Sequence, residues 1–270
     1  MKGDFHIHTT YSDGTFSVEE VLHEASKSLD YLSITDHDNL EGSLKALEIC
    51  QKYSLEVIIG VEVSTYLKDE SVHLLAYFNS VNDALKVKNK LDVQRNMRVE
   101  RCLKIKDLLL KYFKIDLDVT ELLKISSITR GSIAREIIRQ GFNYTKEEIF
   151  TTLIGDNCPA YIPSTKFSTI DAINMLKEAN ATIILAHPVL LKKNDYKDIV
   201  KLGVDGIEAI YPANTVKDTK KFKKYAKAHN LLITAGSDFH SFNDYMHGNI
   251  GSVQLQDEYL EKFINKIKNK

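Results

Sequence analysis

The sequence predicts an α/β fold built on a mainly parallel sheet. Short apolar strand-like runs alternate with amphipathic helical segments over the first 80 residues, a charged helical stretch interrupts them, and the alternation resumes near residue 156. Gly3 to His8 reads as the first strand. Ser17-Val18-Glu19-Glu20 is a capping box, in which serine and glutamate each satisfy a backbone donor of the other, and it opens a helix with Val21, Leu22, Ala25 and Leu29 on one face. Tyr31 to Asp36 is the second strand and Leu40 to Tyr53 a helix. Val57 to Val63 is near-continuously apolar, as a strand buried on both faces must be, and Val72 to Phe78 is another strand.

From about Val81 to Phe150 the rhythm stops. Leu91, Val99, Leu103, Leu108 and Leu109 recur among many Lys and Arg, and Ile133, Ile137 and Ile138 follow. This segment, 81–155, is expected to be an inserted helical subdomain, with 1–80 and 156–270 forming the main domain. Gly155 to Ser168 reads as a loop holding Pro159 and Pro163, after which Thr169 caps a helix through Ala179. Strands return at Thr182 to Ala186, Asp205 to Ile210 and Leu232 to Ala235; Ile250 to Leu255 reads as a last strand and Glu258 to Ile267 as a closing amphipathic helix.

A chain of 270 residues with 43% hydrophobic and 27% charged residues can bury a sizeable core, which excludes a disordered or collagen-like polymer. Lys+Arg 36 against Asp+Glu 37 leaves a net charge of -1, so no overall basic field exists to hold duplex nucleic acid, and a small anionic substrate needs a local trap. Cys50, Cys102 and Cys158 form no CxxC pair, which signals neither a disulfide framework nor a thiolate zinc site and fits a reducing cytosol. The N-terminus enters strand-like sequence without an apolar leader, and no run approaches the roughly 18 apolar residues of a membrane span, so a soluble cytoplasmic protein without a membrane partner is expected.

The chemistry lies in where the histidines fall. His6-Ile7-His8 places two imidazoles at i and i+2, which a strand points to one face, where they can share a metal. Asp13 follows in Tyr11-Ser12-Asp13-Gly14, then Asp36-His37-Asp38 after the second strand, and Glu62 near the end of the third. A carboxylate in the apolar run around Glu62 faces a desolvation cost of several kcal/mol unless a cation or partner offsets it. His187 after Ile183-Ile184-Leu185-Ala186, and Asp238 and His240 after Leu232-Ile233-Thr234-Ala235, also end apolar strands. In parallel α/β barrels the C-terminal rim is where functional groups converge, so these strand ends read as one site. His73 lies early in its strand; either that strand runs antiparallel or His73 belongs to the core.

These segments resemble the PHP (polymerase and histidinol phosphatase) superfamily of metal-dependent phosphoesterases. The motifs are Asp4-Phe5-His6-Ile7-His8-Thr9-Thr10-Tyr11-Ser12-Asp13-Gly14, Ile34-Thr35-Asp36-His37-Asp38, Gly60-Val61-Glu62-Val63-Ser64, Ala186-His187-Pro188 and Gly236-Ser237-Asp238-Phe239-His240, in the family's order across nearly the whole chain. The resemblance implies a distorted (β/α)7 barrel holding two or three divalent metal ions. By it, His6, His8, Glu62 and Asp238 hold the first; Glu62 bridges to a second held with His73 and His187; Asp13, His37 and His240 hold the third. Glu62, Asp13, His37 and His240 are thereby also the residues nearest catalysis, and a hydroxide bridging the metals is the implied nucleophile. Metal identity stays open, since imidazole and carboxylate suit Mn, Fe and Zn alike. Asp36 and Asp38 are expected to orient or cap rather than ligate.

Within the superfamily the chain looks most like the branch of nucleotide phosphatases and 5′-end exoribonucleases, which also carries a helical insertion after the fourth strand. Ile128-Thr129-Arg130-Gly131-Ser132-Ile133-Ala134-Arg135 resembles that branch's Arg-x-His-Ile-Ala motif, with Ser132 in place of the histidine. Arg130 is thereby a candidate phosphate clamp, and Ser132, Arg135, Lys166 and His247 are further candidate substrate contacts. Glu208 is a candidate orienting residue, and Tyr211 and Pro212 candidate pocket lining. His23, His229 and the lysine-rich Lys220-Lys221-Phe222-Lys223-Lys224 read as solvated helix faces, the last with some capacity to steer an RNA end. The expected substrate is a small phosphoester, either a nucleoside 3′,5′-bisphosphate or the 5′ end of a short RNA. Histidinol phosphatase, phosphotyrosine-protein phosphatase and a noncatalytic metal-stabilised scaffold are the alternatives; a polymerase is not expected at this length.

Overall fold

The computed structural model describes residues 1–125, 127–163, 165–242, 244 and 247–270, and divides into two units, Met1–Leu91 with Phe167–Lys270, and Asp92–Lys166. The strands are β1 (Lys2–Ile7), β2 (Tyr31–Ile34), β3 (Glu56–Val57), β4 (Ile59–Leu67), β5 (Glu70–Phe78), β6 (Phe167–Ser168), β7 (Thr182–Leu185), β8 (Gly206–Ile210), β9 (Leu232–Ala235) and β10 (Leu255–Gln256). The helices are α1 (Val18–Ala25), α2 (Glu41–Ile49), α3 (Val81–Phe113), α4 (Arg130–Arg139), α5 (Lys146–Glu148), α6 (Thr169–Glu178), α7 (Tyr196–Lys201), α8 (Val216–Ala228) and α9 (Asp257–Lys268).

The first unit contains two sheets, in the orders β10-β1-β2-β3 and β6-β4-β5-β7-β8-β9. Two short bridges join them, Ile7 with Phe239 and His37 with Glu62. At the first, the His8 N–H donates to the Phe239 carbonyl (2.9 Å) and the Asp238 N–H to the His6 carbonyl (2.8 Å); at the second, the Asp38 N–H donates to the Glu62 carbonyl (2.9 Å). Round the circuit the strands are therefore β1, β2, β4, β5, β7, β8 and β9, a distorted (β/α)7 barrel as expected. β5 is antiparallel to both its neighbours. That reversal explains His73: the start of an antiparallel strand lies where parallel strands end.

Burial on both faces accounts for the apolar strand runs: Val61, Val63, Leu74, Ala76, Ile183, Ile184 and Ile207 are fully buried. α9 adds Phe263, whose ring meets Phe5 edge-on at 4.7 Å and Tyr77 at 5.0 Å. The capping box at Ser17 and Glu20 forms as read. Three local expectations are corrected. The Val57–Val63 run breaks at Ile58, because β3 pairs with β2 whereas β4 continues to Leu67 alongside β5. Ser168, not Thr169, caps α6, accepting from the Asp171 N–H (3.1 Å), while the buried Thr169 hydroxyl meets Thr65 Oγ1 at 2.8 Å. The last strand is only Leu255–Gln256, since Ser252 closes a turn on the Asn249 carbonyl and Gly251 takes a positive φ of 72°.

α3 serves both units. Ala84, Val87 and Leu91 pack in the barrel core, whereas Cys102, Ile105 and Leu109 pack with Ile133, Ile137, Ile149, Leu153 and Ala160 in the core of the second unit. The second unit therefore begins inside a continuous helix, and the segment after α5 that carries Ala160 belongs with it.

Candidate metal centre

Every strand of the barrel delivers a polar side chain to one place. β1 supplies His6 and, just beyond it, His8; the turn after β2 supplies His37; β4 and β5 supply Glu62 and His73; β8 supplies Glu208; His187 follows β7, and Asp238 and His240 follow β9. Glu62 lies within β4 rather than near its end, because the β4–β5 ladder runs on past the cluster to Leu67 and Glu70. His187 and Asp238 sit at positive φ, 25° and 54°, uncommon for residues with a Cβ. Strain of this kind persists where surrounding contacts over-determine the backbone, and the Glu208 carboxylate accepts the His187 N–H (2.8 Å).

Glu62 is the hub. Its Oε2 lies 3.3 Å from His6 Nε2, 3.2 Å from His8 Nε2 and 3.0 Å from His37 Nδ1. Its Oε1 lies 2.9 Å from His73 Nδ1 and 3.1 Å from His187 Nε2. Asp238 Oδ1 lies 3.2 Å from His6 Nε2 and 3.1 Å from His8 Nε2, and Asp13 Oδ1 lies 3.2 Å from His240 Nε2. Among the described residues, ligand atoms converge in four overlapping groups: His6, His8, Glu62 and Asp238; His8, Asp13, His37 and His240; His37, Glu62 and His73; and Asp238, His240 and His247. His6, His8, Glu62 and Asp238 are all buried.

Electrostatics follow from that crowding. Burial opposes the charged form of Glu62, but His37, His6, His73 and His187 outweigh it and hold the carboxyl well below the ordinary range. Burial likewise opposes ionisation of Asp238, which His6 and His8 pull well down. Burial disfavours the His8 imidazolium, yet Asp238 and Glu62 raise it to about 10. A divalent cation fits this donor set. His6 Nε2, His8 Nε2, His37 Nδ1 and Glu62 Oε2 are buried, face one another, and find no hydrogen-bond partner of proper geometry, which is costly for polar atoms unless a cation satisfies them.

Around the cluster, oriented partners hold the ligating groups. Glu208 Oε1 meets His6 Nδ1 at 3.0 Å, fixing which ring nitrogen faces inward. A methyl at Gly236 would collide with His6 Cβ and Glu208 Oε1, so only glycine lets these two pack there. Asp36 accepts from Thr9 N, Thr9 Oγ1 and Ser12 Oγ (2.7, 2.7 and 2.5 Å), fastening the turn after β1, and Asp38 Oδ1 accepts the Ser64 N–H (2.9 Å). Tyr211 Oη donates to Asp238 Oδ2 (2.9 Å). Sequence reasoning missed Asp4, which accepts the Ser237 and Gly251 N–H groups (both 2.9 Å), and Ser12, whose Oγ is 3.3 Å from His8 Nδ1. Both lie inside the first motif, and their signal was a polar residue in a segment otherwise read for its histidines.

His247 joins the cluster's edge: its ring stacks on His240 at 4.4 Å, Nε2 is 3.6 Å from Asp238 Oδ2, and Nδ1 is 2.7 Å from Asp244 Oδ2. The remaining candidate substrate contacts belong to the second unit. Arg130 Nη1 pairs with the exposed Asp156 (2.8 Å), and its guanidinium lies over the Tyr161 ring at 5.2 Å. Ser132 is buried in the capping box of α4, donating to the Thr129 carbonyl (2.8 Å). Arg135 is exposed on α4 and Lys166 half-buried. His23 and His229 are exposed on or beside helices.

A family model described as the PHP domain matches residues 4–267. A 5′-3′ exoribonuclease of Haemophilus influenzae is 27% identical over 247 residues, covering 88% of this chain and 90% of that protein. A phosphoribosyl 1,2-cyclic phosphate 1,2-diphosphodiesterase of Eggerthella lenta is 25% identical, covering 89% and 94%, and a 3′,5′-nucleoside bisphosphate phosphatase of Chromobacterium violaceum is 26% identical, covering 88% and 87%. Among solved structures, a protein of Bifidobacterium adolescentis assigned as a metal-dependent phosphoesterase superposes with a TM-score of 0.77 at 26% identity, covering 98% of this chain and 96% of that one.

Proposed function

The chain belongs to the PHP domain family and is a metal-dependent phosphoesterase, and from that premise we propose that it hydrolyses a nucleotide phosphate, either a nucleoside 3′,5′-bisphosphate or the 5′ end of a short RNA. What supports the substrate class is the pair of relatives named for those two substrates, each matched over nearly its whole length. What carries the metal chemistry is the Glu62 carboxylate, fully buried, with five imidazole nitrogens within 3.3 Å.

In this reading His6, His8, Glu62 and Asp238 would hold one ion, Glu62 with His73 and His187 a second, and Asp13, His37 and His240 a third. Bound divalent ions would neutralise the phosphoester's anionic oxygens and lower the pKa of water toward about 7. The chain's own residues do the positioning. Glu208 keeps the His6 ring turned inward, Asp36 holds the Thr9–Ser12 turn against His8, and Tyr211 occupies one lone pair of Asp238 so that its other oxygen faces the histidines. Arg130 is proposed as a phosphate-binding arginine, its exposed partner Asp156 giving way to the substrate's dianion.

The test is a metal analysis with a phosphate-release panel. The protein, stripped with chelator and reloaded with Mn, Fe or Zn, is expected to bind two or three ions and to show its highest kcat/KM on nucleoside 3′,5′-bisphosphates or 5′-phosphorylated RNA. Preference for histidinol phosphate, phosphotyrosine or phosphoribosyl 1,2-cyclic phosphate would overturn the substrate class. Bound metal without turnover of any phosphoester would favour a scaffold role.

A further inference from the structure

One groove of the barrel unit, apart from the metal cluster, combines concentrated positive charge with an apolar floor. α8 carries Lys217, Lys220, Lys221, Lys223, Lys224 and Lys227 against the single carboxylate Asp218, in a chain whose net charge is -1. Lys220, Lys223, Lys224 and Lys227 recur at three- and four-residue spacing and so share a face. They wall a cavity of about 760 Å³ whose other sides include Tyr211, Pro212, Val216, Val253 and Tyr259, and among the described residues no carboxylate lines it. Among the described residues, Lys220, Lys223 and Lys224 have no ion-pair partner, while Lys227 has Glu258 at 4.0 Å. The Nζ atoms of Lys223 and Lys227 each lie 5.2 Å from the centre of the Tyr259 ring.

The groove neighbours the site already described, because the single buried side chain of Tyr211 both lines it and donates to Asp238. α8 follows the end of β8, so its successive turns carry the lysines away from the cluster, rising about 16 Å from Val216 to Lys227. Spaced positive charges along a line, with aromatic and apolar surface between them, are the recognition chemistry of single-stranded nucleic acid: lysines follow the backbone and bases lie on the apolar floor. A merely solvated helix face does not explain why four of the lysines enclose apolar surface that no carboxylate among the described residues lines.

We propose that this groove is the track for the nucleotides that follow the reacting phosphate in a single-stranded substrate. The proposal rests on the nucleotide reading above and narrows it to a substrate longer than one nucleotide. The groove's place beside the cluster, one side chain away at Tyr211, and the absence of carboxylates among the described lining residues favour a phosphodiester chain over any other anion.

The experiment compares the metal-loaded full chain with its Lys220→Gln/Lys223→Gln/Lys224→Gln variant and the corresponding triple arginine variant. Binding of a fluorescent, 5′-phosphorylated, phosphorothioate-linked hexanucleotide is followed by anisotropy across a salt series, and turnover of a nucleoside 3′,5′-bisphosphate is measured in parallel. The glutamine variant is expected to weaken hexanucleotide binding by about tenfold or more and to lower the slope of log K against log salt by about 2, three phosphates at about 0.7 each. Arginine is expected to restore both, with kcat and KM on the bisphosphate within twofold throughout. An unchanged hexanucleotide affinity and salt slope would overturn the proposal, as would a bisphosphate KM that shifts equally, or polyglutamate of matched charge competing as well as the oligonucleotide. Binding through these lysines by a protein that hydrolyses no nucleotide would overturn the substrate class above while supporting the groove.

Discussion

Replacing Glu62 by glutamine keeps the shape of the side chain and removes one buried negative charge. Five imidazole nitrogens lie 2.9 to 3.3 Å from its two oxygens, so the loss is felt by every group of the cluster at once. At 3 Å and an effective dielectric of about 20, a unit charge pair is worth roughly 5 kcal/mol, and removing one member of a buried pair costs about 3–5 kcal/mol. Converted at 1.4 kcal/mol per tenfold, metal affinity should fall by roughly 10² to 10³ or more. The assay is metal content after chelation and reloading, together with kcat on the preferred phosphoester. An independent readout is the imidazole NMR spectrum of the metal-free protein, where His6, His8 and His187 should titrate at lower pH than in the parent, because the carboxylate favouring their charged forms is gone. A Glu62→Gln protein with full metal content, kcat within threefold of the parent and unmoved histidine resonances would refute the hub assignment.

Glu208→Gln should lower metal affinity by about 10- to 100-fold with a smaller effect on melting temperature, because Glu208 acts by orienting His6; competition with a fluorescent chelator measures it, and unchanged affinity would remove Glu208 from the positioning role. Metal removal should make stability fall on the alkaline side. The His8 imidazolium, raised to about 10 in the metal-free fold, contributes stability that is fully present below its unfolded value of about 6.5 and is lost as pH rises through about 10. Calorimetry of chelated protein from pH 6 to 10 should show that decline and reloaded protein should resist it; a flat profile for the chelated form would contradict the assignment. Phe263→Ala should destabilise the barrel by about 3–5 kcal/mol, since the fully buried ring fills the space between Phe5 and Tyr77; an unfolding free energy from denaturant titration within about 1 kcal/mol of the parent would show that the neighbours collapse into the cavity.

Much of the molecule was legible in the order of its residues because the relevant physics is local. The i, i+2 spacing of His6 and His8 puts both imidazoles toward the cluster once a strand forms, and the Ser17–Glu20 capping box needs only one turn of helix. The apolar runs that end at His187 and Asp238 announce buried strands whose last residues must leave the core. Boundaries and partners were less legible. The break at Ile58 and the shortening of the last strand to Leu255–Gln256 depend on which neighbouring strand offers hydrogen bonds, and Ser168 displaces Thr169 as a cap because Thr65 claims the threonine hydroxyl.

What the sequence determined by itself was the alternation of elements and the kinds of side chain at their ends. Only the tertiary structure decided that β5 runs backwards and so returns His73 to the rim, that two short bridges close the sheets into a ring, and that one carboxylate faces five imidazoles. The reason is physical: propensity and periodicity act over a few neighbouring residues, whereas strand direction and closure depend on segments far apart in the chain, and the meeting of His6 with Glu208 joins residues 202 apart.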